Sequence, residues 1–101
     1  MTDLEITKLC AEAMGLDVTA DESGIGGVYF KRSIENPASR IYRPLHNDEQ
    51  AMALLKRFKL DVAQKVNGHA AAWGDYQIPA VWGENLNRAI CEYVASVQAA
   101  K

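Results

Sequence analysis

The side chains here that could do chemistry are two cysteines, Cys10 and Cys91, two histidines, His46 and His69, the adjacent carboxylates Asp48 and Glu49, and a glycine-rich run, Gly24-Ile25-Gly26-Gly27. Thiols and imidazoles together are numerous enough for a tetrahedral metal site, yet no two lie at the short ligand spacings that structural zinc sites use. A Cys–His nucleophile needs an exposed thiolate in an electropositive setting, whereas both cysteines fall inside helical patterns on core faces. They read as small buried apolar residues, kept as thiols by a reducing cytoplasm. His46 assists a helix start and His69 sits at a hairpin tip. Asp48 and Glu49 diverge by about 100° on a helix and cannot face each other as an acid–base pair. The glycine run looks like a phosphate-binding loop, but such a loop needs a strand before it and a helix after it, and here a strand follows. It reads as a turn. No nucleophile, base and orienting group can be assembled from these residues, so the chain reads as a non-enzyme with no catalytic residue, no cofactor and no metal.

The elements that must position these residues begin at Thr2. Its hydroxyl can accept from the Glu5 amide while Glu5 reaches back, a capping box. Leu4, Leu9, Cys10, Ala13 and Met14 then form an apolar face, and Gly15 ends the helix in the left-handed conformation with Leu16 as the apolar anchor. Asp17 to Gly27 is acidic and turn-rich and reads as a surface loop. A strand is expected over residues 28–32, with Val28 and Phe30 on one face and Tyr29 and Lys31 on the other. After the turn signal Asn36-Pro37, Arg40-Ile41-Tyr42 resumes as a shorter strand.

Asn47 can cap a second helix, with Asp48 and Glu49 on its positive end and Lys56, Arg57 and Lys59 on its negative end. Ala51, Leu54, Leu55 and Phe58 make the stripe that docks it. Asn67-Gly68 then reads as a two-residue turn joining residues 60–66 to residues 69–73. That turn sets Val66 opposite His69, Gln64 opposite Ala71 and Val62 opposite Trp73. It sends Val62, Val66 and Trp73 toward the core and leaves Ala63, Ala70 and Ala72 on the other face, where another helix could lie close. Residues 75–83 show no period and read as an aromatic-rich connection. A last helix, from about Glu84 to Ala99, carries Leu86, Ala89, Ile90, Tyr93, Val94 and Val97 on one wide apolar face and Asn87, Arg88, Glu92 and Gln98 on the wet one.

The chain has 101 residues, 49% of them hydrophobic and 24% charged, which gives room for one domain, 1–101, with one core and one site at most. It opens acidic, with Met1-Thr2-Asp3-Leu4-Glu5, and no apolar run approaches the ~18 residues of a membrane span. A soluble cytoplasmic protein with no membrane partner is expected. The expected fold is α+β: a small antiparallel sheet of three to four strands, including the 60–74 hairpin, sandwiched between three helices. At least one tryptophan is expected to seal so alanine-rich a core.

Several strings together resemble the small phage and prophage proteins grouped as the phage ABA-sandwich domain family. They are Leu4 to Leu16 (helix, then Met14-Gly15-Leu16), Tyr42-Arg43-Pro44-Leu45-His46-Asn47-Asp48 ahead of the second helix, a Trp near the second hairpin strand, and the Asn85 to Ala95 stretch. The likeness spans nearly the whole chain, and its most distinctive piece is Tyr-x-Pro-Leu-x-x-Asp at the entry to the second helix. It implies a sheet sandwiched between helices and a phage or prophage origin in a bacterial host. It implies no activity and supplies no catalytic residue.

Charge is unevenly spread. Residues 31–65 carry a local balance of +4 and the remainder −6, within a net charge of −2, so one face could be positive and another negative. Two binding surfaces follow. Tyr76, Ile78 and Trp82, in the aromatic-rich connection, are the candidate protein interface, because tryptophan and tyrosine concentrate at interface centres. Lys31, Arg32, Arg40 and Arg43, with Tyr29 and Tyr42, are the candidate nucleic-acid surface, against which stand the acidic balance and the lack of a nucleic-acid-binding signature. A homodimer through Tyr93 and Val97 is a further option, although core packing explains those residues equally well. The functional expectation is therefore a non-enzymatic accessory protein that binds an unidentified host or phage macromolecule, a host defence complex included. A nucleic-acid-binding factor using the basic strand face is the alternative.

Overall fold

A computed structural model of the chain describes residues 1–16, 18–22, 28–30 and 41–101. Its elements run α1 (Asp3–Ala13), β1 (Val18–Glu22), β2 (Val28–Phe30), β3 (Ile41–Tyr42), α2 (Asp48–Phe58), β4 (Asp61–Gln64), β5 (Ala70–Trp73), β6 (Val81–Gly83) and α3 (Leu86–Ala99). Each helix starts on a side chain that satisfies an orphaned amide. Thr2 accepts from Glu5 N in the expected capping box, Asn47 accepts from Gln50 N, and Asn85 accepts from Arg88 N;. At the end of α1 the chain turns through Gly15 at φ 72°, with Gly15 N donating to Glu12 O and Leu16 N to Ala11 O. That is the Schellman closure the sequence predicts.

The fold is α+β, and the hairpin lies in a three-stranded antiparallel sheet of order β4-β5-β6 packed on α3. A second three-stranded antiparallel sheet has the order β1-β2-β3. Two of the six strands among the described residues fall where loops were expected. Val18–Glu22, read as surface loop, is β1. It pairs with β2 at the edge of its sheet. Val81–Gly83, read as part of a featureless connection, is β6 and pairs with β5. Three residues are too few to display a period. The expected strand positions Lys31, Arg32 and Arg40 and the glycine run of residues 24–27 lie outside the described residues.

The hairpin differs from expectation by one residue, with large effect. Asp61 pairs with Trp73, Val62 with Ala72, Ala63 with Ala71 and Gln64 with Ala70. Lys65 N donates to His69 O at 2.8 Å, and Gly68 N donates to Lys65 O at 2.9 Å, with Gly68 at φ 91°. The connection is therefore a three-residue loop, Val66-Asn67-Gly68, closed by a glycine in positive φ, rather than a two-residue turn on Asn67-Gly68. One added residue in the loop reverses the faces of the β5 side chains relative to β4, while Val62 keeps its expected place;. Val62, Ala70 and Ala72 belong to the core face, Val66 is fully exposed, and Trp73 is 38% exposed. Neither tryptophan seals the core.

α3 is the central element. Ala89, Ile90, Cys91, Tyr93, Val94, Ala95 and Val97 are all buried, so the helix is apolar around most of its girth rather than on one face;. It packs on α1, on α2 and on all three strands of the β4-β5-β6 sheet. Tyr93 and Val97, 0% and 5% exposed, are core and offer no surface to a second copy. α1 meets α3 through Ile6, Thr7, Cys10 and Ala11, while the expected Leu4, Leu9, Ala13 and Met14 are only partly buried at the rim. Thr7 can enter the core because its hydroxyl donates to Asp3 O at 2.8 Å;. From α2, Ala51, Leu54 and Phe58 complete the core, with Leu55 half-buried as a partial member of the expected stripe.

Candidate functional site

β5 lies between β4 and β6, so the alternation of its side chains decides what the sheet shows to solvent. Ala70 and Ala72 face α3, together with Val62, Val81 and Gly83. His69, Ala71 and Trp73 face the other way, with Asp61, Ala63 and Lys65 on the β4 side and Trp82 on the β6 side. The alanines on the inner face let α3 approach closely, while the larger rings are left outside. Trp82 is 56% exposed and Trp73 38%, whereas Ala71, directly opposite Trp82, is only 2% exposed. The outer face thus has an alanine floor and two indoles on adjacent strands. They are diagonal neighbours, which in such a ladder stand about 7–8 Å apart.

Lys65 reaches across this face to place its ammonium 5.0 Å from the centroid of the Trp82 ring, a cation–π contact;. Beside Trp82 lies a cleft of about 380 Å³ lined by His69, Trp82, Gly83, Glu84, Arg88 and Glu92. Arg88 donates to Asp3 Oδ1 at 2.7 Å and lies 3.5 Å from Glu92 Oε1. The hydrogen bond to Asp3 raises the pKa of Arg88, against the opposing effect of burial and with the help of the neighbouring carboxylates.

Of the three residues expected to form a protein interface, only Trp82 stands on this open face. Tyr76 belongs to an aromatic chain, its ring 5.9 Å from Phe58 and 6.3 Å from Tyr93. Ile78 is half-buried against the core. The Tyr93 hydroxyl anchors this loop, accepting from Gly74 N at 3.2 Å and sharing its proton between the carbonyls of Gly74 and Ile78, each 3.4 Å away. Ile78 is thus held as a packing residue, Tyr76 packs on Phe58 and Tyr93 while remaining 36% exposed, and Trp73 joins Trp82 on the outer face. The signal for Trp73 was present in the strand alternation, but it points outward only once the loop holds three residues.

Of the candidate nucleic-acid surface, Lys31, Arg32 and Arg40 lie outside the described residues. Arg43 is half-buried at the entry to α2, where its amide donates to Gln50 Oε1 at 2.6 Å. The neighbouring Tyr42, Pro44 and Leu45 are buried, so the Tyr-x-Pro-Leu string packs the start of α2. A second cleft, of about 520 Å³, separates the first turns of α2 and α3 and is lined by Leu45, Asp48, Met52, Asn85, Leu86 and Asn87. Asn87 Nδ2 donates to Asp48 Oδ1 at 2.8 Å across it. Among its described lining residues Asp48 is the one titratable group.

Cys10 and Cys91 are both fully buried, with Cys10 Sγ donating to Cys91 O at 3.3 Å between α1 and α3. Contact with Cys10, and then burial, push the Cys91 thiol far above its usual range, the opposite of what a nucleophile needs;. His46 and His69 are exposed, and His69 N donates to Asn67 Oδ1 at 3.1 Å within the hairpin loop. Among the described residues no three His, Cys, Asp or Glu side chains lie close enough together to hold a metal ion. Among them, too, no helix is long and apolar enough to cross a membrane. No protein-family model, no curated protein and no solved structure matches the chain.

Proposed function

We propose that this chain is a non-enzymatic accessory module that docks a protein partner on the outer face of the β4-β5-β6 sheet, through Trp82 and Trp73. The observation behind this reading is the pair of exposed indoles, 56% and 38% accessible, standing over an alanine floor. Tryptophan is the residue most enriched among the anchors that dominate binding energy. The strands that carry both rings are backed by the buried helix α3, so binding here would order little that is not already ordered;. Asp61 shares this face, and Glu84 and Glu92 line the adjoining cleft, which disfavours a phosphate backbone as the occupant;. The Tyr42 to Asp48 string and its likeness to phage ABA-sandwich proteins support a phage or prophage origin. The partner is then a host or phage protein met in the bacterial cytoplasm, a component of a defence complex included.

The test is co-purification of the tagged chain from its bacterial host, beside a Trp73→Ser, Trp82→Ser variant shown by circular dichroism to be folded. A protein recovered in stoichiometric amount with the native chain and lost with the variant is the expected result. Equal recovery by both would remove the function from this face. Recovery of nucleic acid alone, released as salt rises, would transfer it to the basic segment around Arg40.

A further inference from the structure

We infer that the cleft beside Trp82 is a pocket for a basic side chain, a lysine or arginine presented by the docked protein. The inference rests on the docking face proposed above and names the chemistry of its occupant. The Trp82 ring already holds a cation, since Lys65 Nζ lies 5.0 Å from its centroid, yet the residue remains 56% exposed. An indole face is the best of the aromatic faces for this contact. The adjoining cleft supplies the second half of a cation site. Glu84 and Glu92 line it, and its one cation, Arg88, is already engaged by Asp3 at 2.7 Å and by Glu92 at 3.5 Å. With Asp3 counted beside them, three carboxylates stand against two cations, Arg88 and the Lys65 ammonium over the Trp82 ring, so the local balance among the described residues is negative by one.

An acidic group entering this cleft would meet like charge, and a purely apolar one would leave the carboxylates without new partners. An ammonium or guanidinium meets both an aromatic face and charge-assisted acceptors. The volume, about 380 Å³, is ample for one long basic side chain. Gly83 lines the cleft with no side chain to fill it. Lys65 is the intramolecular rival, because its charge lies on the same ring that an incoming cation would use.

The test follows the indole Nε1–H resonances of Trp82 and Trp73 by NMR. The probes are N-acetyl-lysine methylamide and N-acetyl-arginine methylamide, with N-acetyl-norleucine methylamide as the neutral control. The expected result is a saturable shift of Trp82, larger than that of Trp73, with the basic amides only. Glu84→Gln should weaken it by about two- to fivefold, and Lys65→Met, which keeps the stem and deletes the charge, should strengthen it by about the same factor. An equal response to norleucine, no response to Glu84→Gln, or no saturable shift would overturn the pocket. Partner capture lost in the double tryptophan variant, with neither amide shifting Trp82, would leave the docking face standing and remove the cation pocket alone.

Discussion

Gly83 on β6 lies against Ala89 on α3 so closely that a Cβ on Gly83 would stand 2.8 Å from the Ala89 amide nitrogen and 3.1 Å from its Cα. Those atoms belong to helix backbone in the first turns of α3, and they cannot rotate away as a side chain could. Gly83→Ala must therefore push β6 off α3, at an expected cost of about 1–3 kcal/mol. Urea unfolding measures it, and a loss below about 0.5 kcal/mol would mean that the two elements are not held in this contact. The substitution should also disturb the indole resonance of Trp82, one residue away. Gly74 offers the contrast: a Cβ there would meet Leu60 Cδ2 at 2.9 Å, the end of a side chain that has other rotamers;.

Lys59 leaves α2 in the left-handed conformation, φ 53° and ψ 51°, with its amide bonded to the helix end. For a residue with a Cβ this conformation costs about 1–2 kcal/mol, which glycine avoids. Glycine gives back part of the difference through the freedom it adds to the unfolded chain and through loss of a cation at the helix C-terminus. Lys59→Gly should still raise stability, by about 0.5–1 kcal/mol, whereas Lys59→Ala keeps the strain and should not. Paired denaturation curves decide it, and the argument fails if glycine is no better than alanine.

What was legible in the sequence was whatever a local rule could state. The caps on Thr2 and Asn47, the Gly15 closure and the Ala51-Leu54-Phe58 stripe follow from side chains within one helical turn of each other, and all are found. The hairpin shows where such rules stop. Asn67-Gly68 marks a turn correctly, but whether the loop holds two residues or three is decided by which register brings β5 closer to α3. Burying Ala70 and Ala72, rather than Val66 and Trp73, lets β5 approach a helix that is itself apolar nearly all round. That preference is for the closest approach to α3 rather than the largest side chains buried, and α3 lies some twenty residues away, so no window around the turn contains it. The tie between the 74–78 loop and the core depends on a similarly distant contact. Tyr76 and Ile78 look exposable in an irregular stretch, and only the Tyr93 hydroxyl, bonded to Gly74 and Ile78, shows that this stretch is tied to the core.

The Cys10–Cys91 contact makes alkaline stability a readout of the α1–α3 packing. In the folded chain the Cys91 thiol is pushed up, first by its contact with Cys10 and then by burial, so it keeps its proton to a higher pH than an unfolded thiol does. Above about pH 8.5, where an unfolded cysteine ionises, the unfolded state binds fewer protons than the folded one. The stabilisation is complete below that pH and is lost as pH rises, by about 1.4 kcal/mol per pH unit for this group. Tyr42, whose phenol is pushed up by burial and by the two neighbouring cysteines, adds a second slope of the same sign above about pH 10;. Cys91→Ala should remove the first slope and keep the second, and Tyr42→Phe should do the reverse. Urea titrations between about pH 7.5 and 11 measure both, and a native chain with level stability from about pH 8.5 to 10 would show that water reaches the thiol and that α1 does not seal against α3 at this point.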